Sequence, residues 1–162
     1  MNKAIEILKN NFSEAIIETS SFRGDEAIVV DKNKIAEIGL FLRDHNELKF
    51  QMLMDICGVD YLKNKGFLEV VYHLYSPEFK KRIRIKTRLK EKEMLPSVHK
   101  IWKAANWFER EAFDLFGICF DNHPNLKRLL TYEGFKGHAL LKDYPIDLRQ
   151  EIPKPDKLIE DM

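Results

Sequence analysis

The chain is poor in the residues that hold redox centres. Among its 162 residues only Cys57 and Cys119 are cysteines, and they are not spaced C-x-x-C, whereas an all-cysteine iron–sulphur cluster needs four thiolates. This chain alone therefore cannot hold such a cluster. Two cysteines this far apart read as buried free thiols rather than a disulfide, and a reducing compartment is the expectation. The seven glycines stand singly, so no phosphate-cradling loop, no G-x-G-x-x-G and no nucleophile elbow can be drawn. No apolar run approaches the roughly 20 residues of a spanning helix, and contact with a membrane is expected only through partners. Neither sign of charge dominates, with 27 Lys and Arg against 26 Asp and Glu and a formal net charge of +1, which gives no global pull toward polyanions. The opening Met1-Asn2-Lys3-Ala4-Ile5-Glu6 puts a Glu where a signal sequence is apolar, so a chain that stays where it is made is expected.

What is present is enough for one core, since 44% of the residues are hydrophobic. Ala4, Ile5, Leu8 and Phe12 recur at spacings of three and four and predict a first helix. The β-prone runs 15–22 and 26–30 flank Arg23-Gly24-Asp25 and predict a hairpin. Asp31 then offers a cap to a helix carrying Ile35, Ile38 and Leu42. Runs over 50–59, 67–75 and 82–88 predict an antiparallel meander, the last with a strict period of two. Helix is expected to resume with Pro96 in a first turn and Val98, Ile101, Trp102 and Ala105 as its stripe, leading into 107–116. The expected fold is α+β: a mainly antiparallel sheet with helices packed on one face over residues 1–117. Beyond Gly117, glycines and prolines break the chain into short pieces, so residues 118–162 read as an irregular extended arm that is ordered by lying on a partner.

Three clusters carry chemistry. In Trp107 to Gly117, Arg110 and Asp114 are one helical turn apart and are expected to pair, while Glu111 and Asp114 crowd each other and need a cation from elsewhere. No nucleophile or metal set stands beside Glu109, Glu111 and Asp114, so ion pairing outweighs acid–base catalysis. Cys119, Asp121 and His123 alternate, and with His138 and Asp143 they offer zinc-ligand chemistry, but the spacing matches no zinc module. Turn histidines that donate to backbone carbonyls are the better reading of His123 and His138. Arg82, Arg84, Lys86 and Arg88 share one side of their strand, yet no aromatic interleaves them, so a solvated or partner-facing strand outweighs an RNA-binding sheet.

The stretch Glu109-Arg110-Glu111-x-Phe113-Asp114-Leu115-Phe116-Gly117-Ile118 is followed by Asn122-His123-Pro124-x-Leu126-Lys127-Arg128-Leu129-Leu130-Thr131. Gly134-Phe135-x-Gly137-His138 and Lys142-Asp143-Tyr144-Pro145 come after it. Together they resemble the 30 kDa subunit family of respiratory complex I, the C subunit of NADH-quinone oxidoreductases. Asp55 to Tyr61, Glu69 to Tyr72 and Arg82 to Ile85 are similar to the same family in the same order. The resemblance implies a structural subunit of the peripheral arm, lying against the D and B subunits on the cytoplasmic side of the cell membrane. It also implies no cofactor on this chain, with FMN and iron–sulphur clusters in partner subunits that pass electrons from NADH to quinone as protons are pumped. The residues it implies at the partner interface are Glu109, Arg110, Glu111, Asp114, His123, Arg128, His138, Lys142 and Asp143. Ala139 and Leu141 depart from the family pattern, which has Pro and Arg there, and the chain stops at Met162 where relatives run on, so a smaller contact area is expected. A membrane-bound hydrogenase-type complex uses a similar subunit and is the alternative.

Overall fold

The computed structural model describes residues 3–152. Helix α1 (Lys3–Asn11) buries Ala4, Ile5 and Leu8, the stripe that its spacing predicts. Strands β1 (Ile16–Phe22) and β2 (Asp25–Val30) form the expected hairpin. Arg23 and Gly24, at φ 52° and 86°, supply the consecutive left-handed residues that a two-residue hairpin turn demands. The Asp31 carboxylate accepts the Asn33 N–H at 2.8 Å. It thereby starts a 3₁₀ turn that feeds helix α2 (Ile35–Asp44). Next come β3 (Met52–Asp60), the short helix α3 (Leu62–Lys65), β4 (Leu68–Ser76) and β5 (Lys81–Leu89).

These strands make one five-stranded sheet in the order β1-β2-β5-β4-β3. The meander β3-β4-β5 and the hairpin β1-β2 are antiparallel, and the two units join through a parallel β2–β5 pairing. Ile28, Val30, Val70, Tyr72, Leu74, Ile83 and Ile85 lie in one core with Leu8, Ile38 and Leu42 of the helices. On β5 the alternate residues Ile83, Ile85 and Thr87 are buried, as the period of two requires. The basic residues that alternate with them meet acids on other strands of the sheet. Arg84 pairs with Asp25, Lys86 with Glu69 at 2.9 Å, and Arg88 with Glu69 at 3.2 Å and Glu18 at 2.8 Å. Those pairs neutralise three of the four basic residues of that face, and the fourth, Arg82, lies 5.8 Å from the Tyr75 ring centre.

One expected element is different. Met94–Pro96 is a strand, β6, paired in parallel with β7 (Cys119–Asp121), so Pro96 ends a strand and does not open a helix. Residues 97–104 run as successive turns, with Ile101 and Trp102 N–H bonded to Val98 O, and helix α4 begins only at Ala105 (Ala105–Phe116). Val98, Trp102 and Ala105 are buried all the same. A tight run of turns returns side chains to one side every three or four residues, which mimics a helical stripe. The Trp102 indole N–H donates to Phe50 O at 3.1 Å and ties this segment to the loop before β3. Helix α4 closes on β3 where Gly58 leaves room, since a Cβ there would sit 2.6 Å from Phe116 Cδ2.

Candidate functional site

Helix α4 ends at Gly117, which takes the left-handed conformation at φ 73°, and the chain beyond β7 returns along the helix. What holds it there is Asp114, whose side chain is fully buried. Its Oδ2 accepts the backbone N–H groups of Leu129, Leu130 and Thr131 at 2.9, 2.6 and 2.8 Å. Its Oδ1 accepts Arg128 Nη1 at 2.8 Å and the Thr131 hydroxyl. Burial by itself would raise the pKa of this carboxyl, but the bonds from Thr131, Leu130 and Arg128 outweigh it and hold it well below the ordinary value.

Arg110 departs from expectation. It makes no pair with Asp114; its Nε and Nη2 donate to the carbonyls of Lys127 and Arg128, both at 3.1 Å, and its guanidinium lies 5.0 Å from the Trp107 ring centre. The physical reason is that Asp114 already has five donors from residues 128–131, leaving Arg110 to satisfy carbonyls of the same turn. The cation that Asp114 needs is Arg128, which also donates to Gly137 O at 2.9 Å. His138 Nδ1 donates to Asp114 O at 2.9 Å, and its ring packs where Gly117 has no side chain. Asp60 makes a second pin, accepting Leu62 N–H at 2.8 Å and Lys142 N–H at 2.7 Å. Further out, Gln150 bridges Lys136 and the Tyr144 hydroxyl, and Phe135 stacks on Tyr144 at 5.7 Å.

Burial divides the nine candidate residues. Glu109, Arg110 and Asp114 are buried inside the chain, the His123 side chain is buried with them, and Arg128 and His138 are half-buried and bonded within the chain. Glu111 is half-buried, and its carboxylate has no hydrogen bond or ion pair among the described residues. Lys142 and Asp143 are exposed. The Lys142 ammonium lies 5.8 Å from the Tyr61 ring centre. Asp60, Thr131 and Gln150 were missed from sequence. Asp60 and Thr131 stand inside the motifs quoted above, and that was the available signal; Gln150 carried none. Both ring nitrogens of His123 are engaged, Nε2 donating to Asn106 O and Nδ1 accepting Asn125 N–H, each at 3.1 Å. Among the described residues no group of three or more His, Cys, Asp or Glu is placed to hold a metal ion. Cys57 and Cys119 are free thiols, and burial, with Asp55 beside it, pushes Cys57 up to about 12.

This geometry defines an α+β module in which the carboxylates of Asp114 and Asp60 hold the backbone of the segment that follows β7. The chain belongs to the respiratory-chain NADH dehydrogenase 30 kDa subunit family, whose model matches residues 28–150. Its relatives include the NADH-quinone oxidoreductase C subunit of Hyphomonas neptunium, 44% identical over 133 residues, which covers 82% of this chain and 66% of that protein. The chain thus spans about two thirds of that relative's length. The C subunit of the Citrifermentans bemidjiense NADH-quinone oxidoreductase is 42% identical over 146 residues, covering 90% of this chain and 89% of the relative. Among solved structures, a chain of the membrane-bound sulfane sulfur reductase, an archaeal respiratory membrane complex, is 28% identical. It matches with a TM-score of 0.62 over 75% of this chain and 72% of that one. No helix among the described residues is long and apolar enough to cross a membrane.

Proposed function

We propose that this chain is a cofactor-free structural subunit of the peripheral arm of a proton-translocating NADH:quinone oxidoreductase. It packs against the D and B subunits on the cytoplasmic side of the cell membrane and is held to the membrane through the complex. The complex passes electrons from NADH through FMN and iron–sulphur clusters in its other subunits to quinone. Residues 118–162 serve as the partner-binding arm, of which 153–162 lie outside the described residues.

The observation that carries this reading is the contrast between how the arm is held and what it exposes. A buried carboxylate fixes the backbone at 129–131, while Leu130, Leu140, Ile146, Leu148 and Ile152 stand exposed along the same arm, Leu130 at 62%. Trp107 on α4, stacked under Arg110, is exposed at 57%. Holding apolar side chains in water on an ordered backbone is unfavourable for a chain alone and favourable for one that buries them against a neighbour. Glu111, Lys142 and Asp143 then supply the charges that select the partner.

The test is the double variant Leu130→Asp, Ile146→Asp. Both side chains are exposed, so thermal melts of the isolated chain should be unchanged, while recovery of the chain with its partner subunits from membranes should fall sharply. Normal recovery would place the interface elsewhere. A second reading, the equivalent subunit of a hydrogenase-type complex, is favoured by the likeness to the sulfane sulfur reductase chain. The cofactors and electron donor of the co-purified complex separate the two.

A further inference from the structure

Glu109 is used differently from Asp114, although both sit on α4 and both are fully buried. Its Oε1 accepts the Val98 N–H at 2.7 Å, and its Oε2 bonds the Ser97 hydroxyl. No cation answers it. The nearest ring nitrogen, His123 Nε2, is 3.9 Å away and donates to Asn106 O, while His123 Nδ1 accepts Asn125 N–H. A ring with a donor duty on one nitrogen and an acceptor duty on the other is the neutral tautomer. Burial also lowers the proton affinity of this imidazole. Arg110, next along the helix, faces the carbonyls of Lys127 and Arg128. From β4 the buried Tyr72 phenol feels the Glu109 charge, and its hydroxyl has no hydrogen-bond partner among the described residues. A carboxylate so placed is desolvated without compensation, which favours its neutral form.

Ser97 connects this acid to the surface. Its hydroxyl lies 2.9 Å from His99 Nδ1, and His99 is partly exposed, with no described partner for its Nε2. One hydroxyl proton has two takers, so the states are linked. With Glu109 ionised, Ser97 donates to Oε2 and His99 presents Nδ1–H to Ser97. With Glu109 protonated, Glu109 donates to Ser97 Oγ and Ser97 donates to a bare Nδ1.

We propose that Glu109, Ser97 and His99 form a proton-binding site, a buried acid loaded from solvent through a hydroxyl and an imidazole. A proton taken up at His99 Nε2 drives Nδ1–H to Ser97, and the Ser97 proton passes to Glu109. One proton enters and one is stored, with the imidazole left neutral as the other tautomer. Burial pushes Glu109 up to about 7, which puts loading within the physiological range. Because α4 also carries Arg110 and Asp114, the charge on Glu109 bears on the helix that pins the arm.

The test is carbon-detected NMR of the full chain with glutamate side-chain carboxyls labelled and Glu109 assigned through its own backbone. Its carboxyl should titrate with a midpoint near 7. In Ser97→Ala and His99→Gln the carboxyl should still titrate, but proton exchange should slow by about 100-fold or more, the low end of what a positioned acid–base group contributes. His99→Gln alters a partly exposed side chain and keeps the test open if Ser97→Ala fails to fold. A Glu109 carboxyl that titrates in the ordinary acidic range, or not at all between about pH 5 and about pH 9, overturns the site. Exchange unaltered by both substitutions overturns the relay.

Discussion

Asp114→Asn should be the most damaging single change on α4. The amide would meet backbone N–H donors with an NH2 group, and Arg128 would lose its counter-charge in a half-buried site. Breaking a buried pair of this kind costs roughly 3 to 5 kcal/mol, so chemical denaturation should show a loss of that order and hydrogen exchange should rise over 128–141. The two buried acids also give stability opposite dependence on pH. The Asp114 pKa is held below its ordinary 3.8, so its contribution is complete above that value and is lost progressively as pH falls from there toward the lower folded-state pKa. That of Glu109 is raised from 4.5 to about 7, so between these values the unfolded chain gives up a proton that the folded chain keeps. Stability therefore falls as pH rises across that window. Thermal melts from pH 4.5 to about 7 should show the decline in the native chain and its absence in Glu109→Gln. The sequence pointed to Arg110, one turn away, as the partner of Asp114, and asked for a further cation only because Glu111 crowds it; it could not show that Arg128 takes the pairing, because the contact spans a turn whose path no local rule fixes.

At the level of elements, the segment 97–104 joins sheet, α2 and α4 without being a helix. Trp102 fills the space over Gly39, where a Cβ would lie 3.1 Å from its ring, and its indole N–H holds the Phe50 carbonyl. Trp102→Ala should cost roughly 3 to 5 kcal/mol by leaving a cavity and an orphan carbonyl, measurable by urea denaturation of the isolated chain. The apolar stripe of this segment was legible and its backbone was not. Strand β6 exists only because β7, more than 20 residues on, lies beside it. A partner that far along the chain overrides local preference. The parallel β2–β5 junction was missed for the same reason, whereas the hairpin β1-β2 was legible because Arg23-Gly24 is a local turn.

At the scale of the whole molecule, the side chains of the described residues predict a chain that purifies without a resident metal. The His123 nitrogens are both engaged, the Cys57 thiol donates to Asp55 at 3.0 Å, and the Glu69 and Asp114 carboxylates are spent on cations. Tag-free chain analysed by plasma mass spectrometry should carry neither zinc nor iron in stoichiometric amount; either one would require a site formed from a different arrangement of these residues.

Composition, period and turn chemistry determined the α+β class, both long helices at the N-terminal end, the hairpin and the faces of β5, since each depends on neighbours within a few residues. The motifs between 109 and 145 determined the family. Tertiary structure alone decided that Asp114 gathers 128–131, that Arg110 serves carbonyls, that Asp60 pins Lys142 and that Glu109 is buried without a cation. Each of these is an electrostatic or hydrogen-bond choice among several chemically equal partners, and only the packed backbone brings one of them within about 3 Å.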